Sequence, residues 1–288
     1  MNAPIPPLDI LRLADAEAVL ANIASQLRIG RVIPYLGPKL TALSAPSVPT
    51  SYEALAEFLG TKVALPKRAK GNPWASAQHI ESTRHRATVT ALLREAFAAP
   101  VEPGPLHRYL AALDLPMIVD SWYDGAMRTA LARATNWGEV QGITRAGIGE
   151  DRWYRFYDAN GVETDKAGAE RWTTLLYKPH GGIAPAGNFL ITDADYVEVL
   201  TEIDIQTPIP DIVRDRRTER SFFFIGCRFH DQLLRIYARQ IIKRSSGPHY
   251  AVVEPETLTK NEHRFLASEE IIPIALPLPR AIEVLTSA

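Results

Sequence analysis

A doubly wound α/β fold, with a mainly parallel six-stranded sheet and helices on both faces, is the architecture the sequence predicts. Two patterns predict it. Six short apolar runs alternate with segments of helical periodicity, and most of these runs lead through a glycine or polar turn into the next helix. The 288 residues are 46% apolar, enough to bury a full core.

The elements follow in order. Apolar residues at helical spacing from Leu11 to Leu27 predict an N-terminal helix over 8–28, and Arg31–Gly37 reads as a buried strand that ends at a glycine. Thr50 or Ser51 as N-cap, Glu53 in the first turn and Gly60 at the close mark a helix over 47–60. Beyond a basic loop at 66–73, helices are expected over 75–84, over 87–97 with Val89, Leu92, Leu93 and Phe97 on one face, and over 105–113. The second strand, 115–120, runs into Ser121–Asp124 and a helix to about 134. Residues 136–172, rich in glycine and aromatics, read as an insertion holding a hairpin that turns at Asn160-Gly161. Strands are then expected at 173–178, 220–226, 250–253 and 271–276, with helices over 192–200 and 233–243. No internal repeat or low-complexity tract interrupts the pattern.

Composition excludes several classes. With 32 basic and 33 acidic residues the net charge is −1, so neither nucleic acid nor an anionic membrane surface is implied as a partner. The N-terminus lacks a basic and apolar leader pattern, and no window is apolar enough to span a membrane; a cytoplasmic location is the expectation. A single cysteine, Cys227, allows no intramolecular disulfide and no cysteine-rich zinc site, and none of the seven histidines falls in a helical metal-binding pair, so no metal is expected.

In such a sheet ligands sit beyond the carboxyl ends of the strands, which selects Gly37–Thr41, Asp120–Asp124, His180–Gly182, Gly226–Asp231 and Glu254. His180, flexed by Gly181 and Gly182, has the chemistry of a general base; the alternative is an imidazole bonded to a loop carbonyl. Gly226 permits close approach of a ligand to the backbone. Arg228 offers a fork to a phosphate or pairs with a surface carboxylate. Glu254 has a carboxylate suited to both hydroxyls of an adenosine ribose. His79 and His107 read as helix-face residues, His249 and His263 as surface residues, and His230 with Asp231 as a helix cap.

The runs VIPYLGPKLT, PLHRYLAALDLPMIVDSWYDGAMRTAL, LLYKPHGGI, FLITDADYVEVL and RSFFFIGCRFHDQLLRIYARQI resemble, in unbroken order, the elements of SIR2-like domains. HYAVVEP and IIPIAL match that family's last strands, so the resemblance spans 31–276 and makes the whole chain one such domain, with a core over 31–276. It implies a bound NAD or ADP-ribose. It implies that Gly37, Lys39, Thr41, Ser121, Trp122, Gly226, Cys227, Arg228 and Glu254 line the cofactor site, that Asp124 faces the nicotinamide carboxamide, and that His180 is the base. For Asp124, helix capping is an equal alternative.

Departures from the family pattern bear on activity. Pro38 and Lys39 stand where small residues let the backbone approach a pyrophosphate, and proline removes an amide donor; Lys39 either meets a phosphate or faces solvent. Trp122 aligns with the asparagine that engages the nicotinamide ribose or water in NAD-cleaving members, a role closed to an indole. Cys227 and Arg228 replace small hydroxyl residues. Two readings follow: a non-catalytic or weakly active sensor or accessory protein that binds NAD or ADP-ribose and works with a separately encoded partner, or an NAD glycohydrolase that uses His180. A protein deacetylase is not expected, since that activity in the family accompanies a four-cysteine zinc module.

Overall fold

The computed structural model describes residues 10–44, 46–145, 152–202 and 209–287. Six parallel strands form its centre: β2 (Val32–Leu36), β3 (Met117–Asp120), β7 (Thr174–Lys178), β10 (Ser221–Ile225), β11 (His249–Val253) and β12 (Ile271–Ala275). They lie in the order β12-β11-β10-β2-β3-β7, so the chain starts in the middle, winds to one edge and then to the other. The order reverses between β2 and β10, the place where such folds open a crevice.

Four more strands extend the sheet to ten. The edge strand β1 (Leu11–Arg12) pairs parallel with β12. The predicted insertion supplies β4 (Trp137–Gly142), parallel to β7, and then the hairpin of β5 (Tyr154–Asp158) and β6 (Glu163–Thr164). The hairpin turns at the expected Asn160-Gly161, where Gly161 takes a φ of +81° and its amide donates to the Asp158 carbonyl. Residues 146–151 of the insertion, with Gly147 and Gly149, lie outside the described residues. Two short antiparallel strands, β8 (Gly181–Gly182) and β9 (Asn188–Phe189), form a separate ribbon beyond β7.

Strict alternation along the buried strands sends side chains to two cores. Phe222 and Phe224 pack with Tyr35, Val119 and Tyr177 under the helices Tyr52–Lys62, Pro73–Arg84, Arg86–Ala96 and Gln232–Ile242. Phe223 and Ile225 pack with Ile118 and Leu176 under Leu13–Arg28, Pro105–Ala111 and Leu278–Ser287. The N-terminal helix starts at Leu13 rather than residue 8, because Leu11 and Arg12 are drawn into the sheet; residues 8 and 9 lie outside the described residues. Of the two predicted caps, Ser51 accepts from the Ala54 amide. Helices at Asp211–Arg217, Lys260–Ser268 and Leu278–Ser287 had no counterpart in the sequence reading. Among the described residues no helix is long and apolar enough to cross a membrane.

Candidate functional site

The turns after β2 and β10 meet at the point where the strand order reverses. Gly226 has a φ of +73°, and a Cβ on Gly37 would lie 2.4 Å from the Gly226 carbonyl oxygen. Only glycine tolerates that approach. The contact uses up the amides of the first turn: Gly37 donates to Ile225, Lys39 to Gly226, Leu40 to Gly37 and Thr41 to Pro38. Pro38 itself has no N–H.

On one side of this junction, at the ends of β10 and β11, lies a narrow, nearly filled cleft lined by Gly226, Cys227, Arg228, Phe229, Leu258 and Glu254 among others. Glu254 is exposed at its mouth, and its carboxylate accepts from the Lys39 ammonium at 2.8 Å. Arg228 does not offer its fork to the cleft. Nε and Nη2 donate to the two oxygens of Glu262 at 3.0 and 3.1 Å, and that charge-assisted pair raises the pKa of the guanidinium. Glu262 also accepts from the amides of Phe229 and Thr259; burial opposes its ionisation, but these donors and Arg228 hold it below the ordinary value. The Cys227 thiol donates to the Tyr35 carbonyl at 3.5 Å, and burial pushes its pKa up, so it is neutral at physiological pH.

The other side, beyond β3 and β7, is closed. Trp122 is 1% exposed, its indole N–H donates to the Pro49 carbonyl at 3.0 Å, and its ring meets Tyr52 and Phe97 edge-on at 5.0 and 5.5 Å. Asp124 is buried with both oxygens engaged: Thr41 Oγ1 donates at 2.6 Å and the Ala126 amide at 2.8 Å. It thus braces the start of the following helix and ties it to the turn after β2. Ser121 donates through both its hydroxyl and its amide to the Leu36 carbonyl.

At the end of β7, Lys178 is buried, and its three donors meet three oxygens: Asp120 Oδ2 at 2.7 Å and the carbonyls of Trp122 and Asp124 at 2.6 and 2.9 Å. Burial raises the Asp120 pKa against the pull of this ammonium. The sequence reading did not single out Lys178. The signal was there, a lysine closing an apolar strand beside a strand that ends in aspartate.

His180 is 2% exposed. Its Nδ1 hydrogen-bonds the Tyr196 hydroxyl at 2.9 Å, and its ring lies 4.7 Å from that of Tyr237. Desolvation, and secondarily Lys178, lower its pKa to about 3. Such an imidazole is neutral at pH 7 and a weak base. His107, read as a helix-face residue, is buried and accepts the Gly104 amide; His249, read as a surface residue, is buried and accepts the Phe222 amide, because each satisfies a backbone donor. Asp231 caps its helix as expected, while His230 lies 3.5 Å from Glu53. Among the described residues no three of His, Cys, Asp or Glu gather as a metal would need.

The His180 environment makes a pH prediction. The unfolded histidine binds a proton below its ordinary value of 6.5, whereas the folded one does so only near 3. Stability is therefore full above 6.5 and falls as pH drops toward 3, at roughly 1.4 kcal/mol per pH unit from this group. His249, lowered to about 4, adds to the same limb. Urea midpoints measured from about pH 7 to about pH 5 should fall less steeply in His180→Gln than in the parent; an unchanged slope would mean that His180 is not buried neutral.

A family model described as a SIR2-like domain matches residues 116–274, from the start of β3 into β12. The match takes in Asp120–Asp124, Lys178, His180, Gly226–Arg228 and Glu254, and leaves Gly37–Thr41 outside. No curated protein matches the chain.

Proposed function

Because the chain belongs to the SIR2-like domain family, whose members bind NAD, we propose that it binds the adenosine half of NAD or ADP-ribose without cleaving the nicotinamide bond. In this reading it serves as a sensor or accessory protein for a separately encoded partner. The observation that carries the reading is the contrast between the two sides of one crevice. Glu254 stands exposed in the wall of a wide, open cleft, while Trp122 and His180 are 1% and 2% exposed beneath a packed aromatic layer.

The residues fit the group unevenly. At the adenosine end Glu254 accepts ribose hydroxyls and the apolar Leu276, Pro277 and Leu278 of the wide cleft beside it give a base a surface to lie on, whereas the space at Gly226 is filled by Gly37 and Leu40 of the neighbouring turn. At the nicotinamide end the oxygens of Asp124 are spent on Thr41 and Ala126. His180 has neither the access nor the basicity that proton abstraction needs.

Calorimetry with ADP-ribose should show saturable binding, weakened by about 1.5–3 kcal/mol in Glu254→Ala, since a charged acceptor is lost. The same protein incubated with NAD should release nicotinamide no faster than buffer, and His180→Ala should change nothing. Absence of binding to both ligands at millimolar concentration would remove the nucleotide reading. Rapid release abolished by His180→Ala would instead identify an NAD glycohydrolase.

A further inference from the structure

At the end of the sheet opposite Glu254 lies a separate cavity of about 270 Å³. It is set at the amino-terminal ends of β2, β10 and β11, against the helix Leu13–Arg28, over a small apolar floor of Ile23 and Val32. Three turns frame it, and hydrogen bonds brace them. The Ser221 amide donates to the Arg31 carbonyl at 3.1 Å, the Ser246 amide to the Arg220 carbonyl at 2.9 Å, and Arg220 Nε to the Gly30 carbonyl at 2.8 Å. The walls are fixed, but their polar tips are unused. The carboxamides of Asn22 and Gln26, the hydroxyls of Ser221 and Tyr250, and the charges of Arg31 and Glu219 all border the cavity, and among the described residues none of these side-chain groups bonds or pairs with another protein group. Glu219 is held in the left-handed region, at a φ of +60°, where glycine or asparagine is less strained. A strained glutamate that shares one small cavity with an unpaired arginine is the kind of outlier that a binding site retains.

We propose that this cavity binds a free amino acid with a neutral polar side chain, its carboxylate on Arg31, its ammonium at Glu219 and its side chain among the carboxamides and hydroxyls. Size sets the bound. At roughly 30 Å³ for each water of the liquid, 270 Å³ is the space of about nine, enough for one amino acid and too small for a nucleotide. Charge sets the class. One cation and one anion leave the walls neutral as a whole. A zwitterion gains both charge-assisted contacts, whereas a simple anion or cation matches one wall group and is repelled by the other. A sugar would use the carboxamides and hydroxyls but leave Arg31 and Glu219 unmatched. The cavity shares no wall residue with the clefts beside Glu254, so the assignment stands apart from the nucleotide reading.

Calorimetry of the full chain with glutamine is expected to show saturable binding in the millimolar range. Two blocked forms read the charges one at a time: N-acetylglutamine, which has lost its ammonium, and glutaminamide, which has lost its carboxylate, should each bind about tenfold more weakly. Arg31→Gln should erase the difference between glutamine and glutaminamide, and Glu219→Gln the difference between glutamine and N-acetylglutamine, because each removes the wall charge that reads that end. Both positions are exposed, and thermal melts verify folding. Glu219→Gly, which suits the same backbone conformation, is a second variant with the same expected loss. Absence of saturable binding by glutamine, asparagine and serine at millimolar concentration overturns the site. Blocked forms that bind the parent as well as glutamine does overturn the zwitterion assignment, as does a preference for glutamine that survives in both charge variants.

Discussion

Lys178→Met is expected to cost about 3–5 kcal/mol of folding stability, because it strands a buried carboxylate and two buried carbonyls that share one ammonium. The three acceptors, Asp120 at the end of β3 and Trp122 and Asp124 in the turn that follows, let the ammonium of one strand end shape the loop of its neighbour. Part of the loss returns in Lys178→Met/Asp120→Asn, where no unpaired charge remains to be buried; the two carbonyls stay unsatisfied. Urea denaturation of the parent, both single variants and the double variant gives the coupling energy directly. A cost below about 1 kcal/mol for Lys178→Met would mean that water reaches the site and the pair behaves as a surface ion pair.

Trp122→Asn is expected to cost a comparable amount, about 3–5 kcal/mol, since it empties the centre of an aromatic cluster and leaves the Pro49 carbonyl without its donor. It places an amide where NAD-cleaving relatives carry one. Nicotinamide release should nonetheless stay at the buffer rate. His180 remains held between Tyr196 and Tyr237, and the first-turn amides remain engaged with the β10 turn. On the proposed reading ADP-ribose affinity should hold within about twofold, because Trp122 lines neither cleft beside Glu254. A gain of release that depends on His180 would show that the indole alone blocks the reaction.

The six central strands were legible because each is a short apolar run bounded by turn residues, and burial on both faces removes the ambiguity of amphipathic patterns. The helix Lys260–Ser268 was not, since its buried face includes Glu262, whose carboxylate is satisfied by partners remote in sequence or by its own cap. The strand Trp137–Gly142 was hidden by Glu139 and Gln141, both fully buried; Arg128 pairs with Glu139, and Gln141 donates to it. At the candidate site the sequence reading located the strand ends but not the side of the crevice each residue faces. Spacing along the chain does not report that Trp122 packs against Tyr52 of an earlier helix, or that Arg228 in a loop is bound to Glu262 on a later one. Those outcomes depend on tertiary partners, and they separate an exposed Glu254 from a buried His180.

The pairing of Leu11 with Ile274 joins two segments far apart in the chain, so this edge of the sheet forms only after β12 is made. The strands that wall the closed end, β2, β3 and β7, have all emerged once residue 178 is made. The clefts beside Glu254 take Lys39 from the early half of the chain and most of their remaining walls from residues after Phe224, and Leu11–Arg12 has no sheet neighbour until β12 appears. On the proposed reading a ligand held there stabilises the assembled sheet more than it aids the pairing of the first strands.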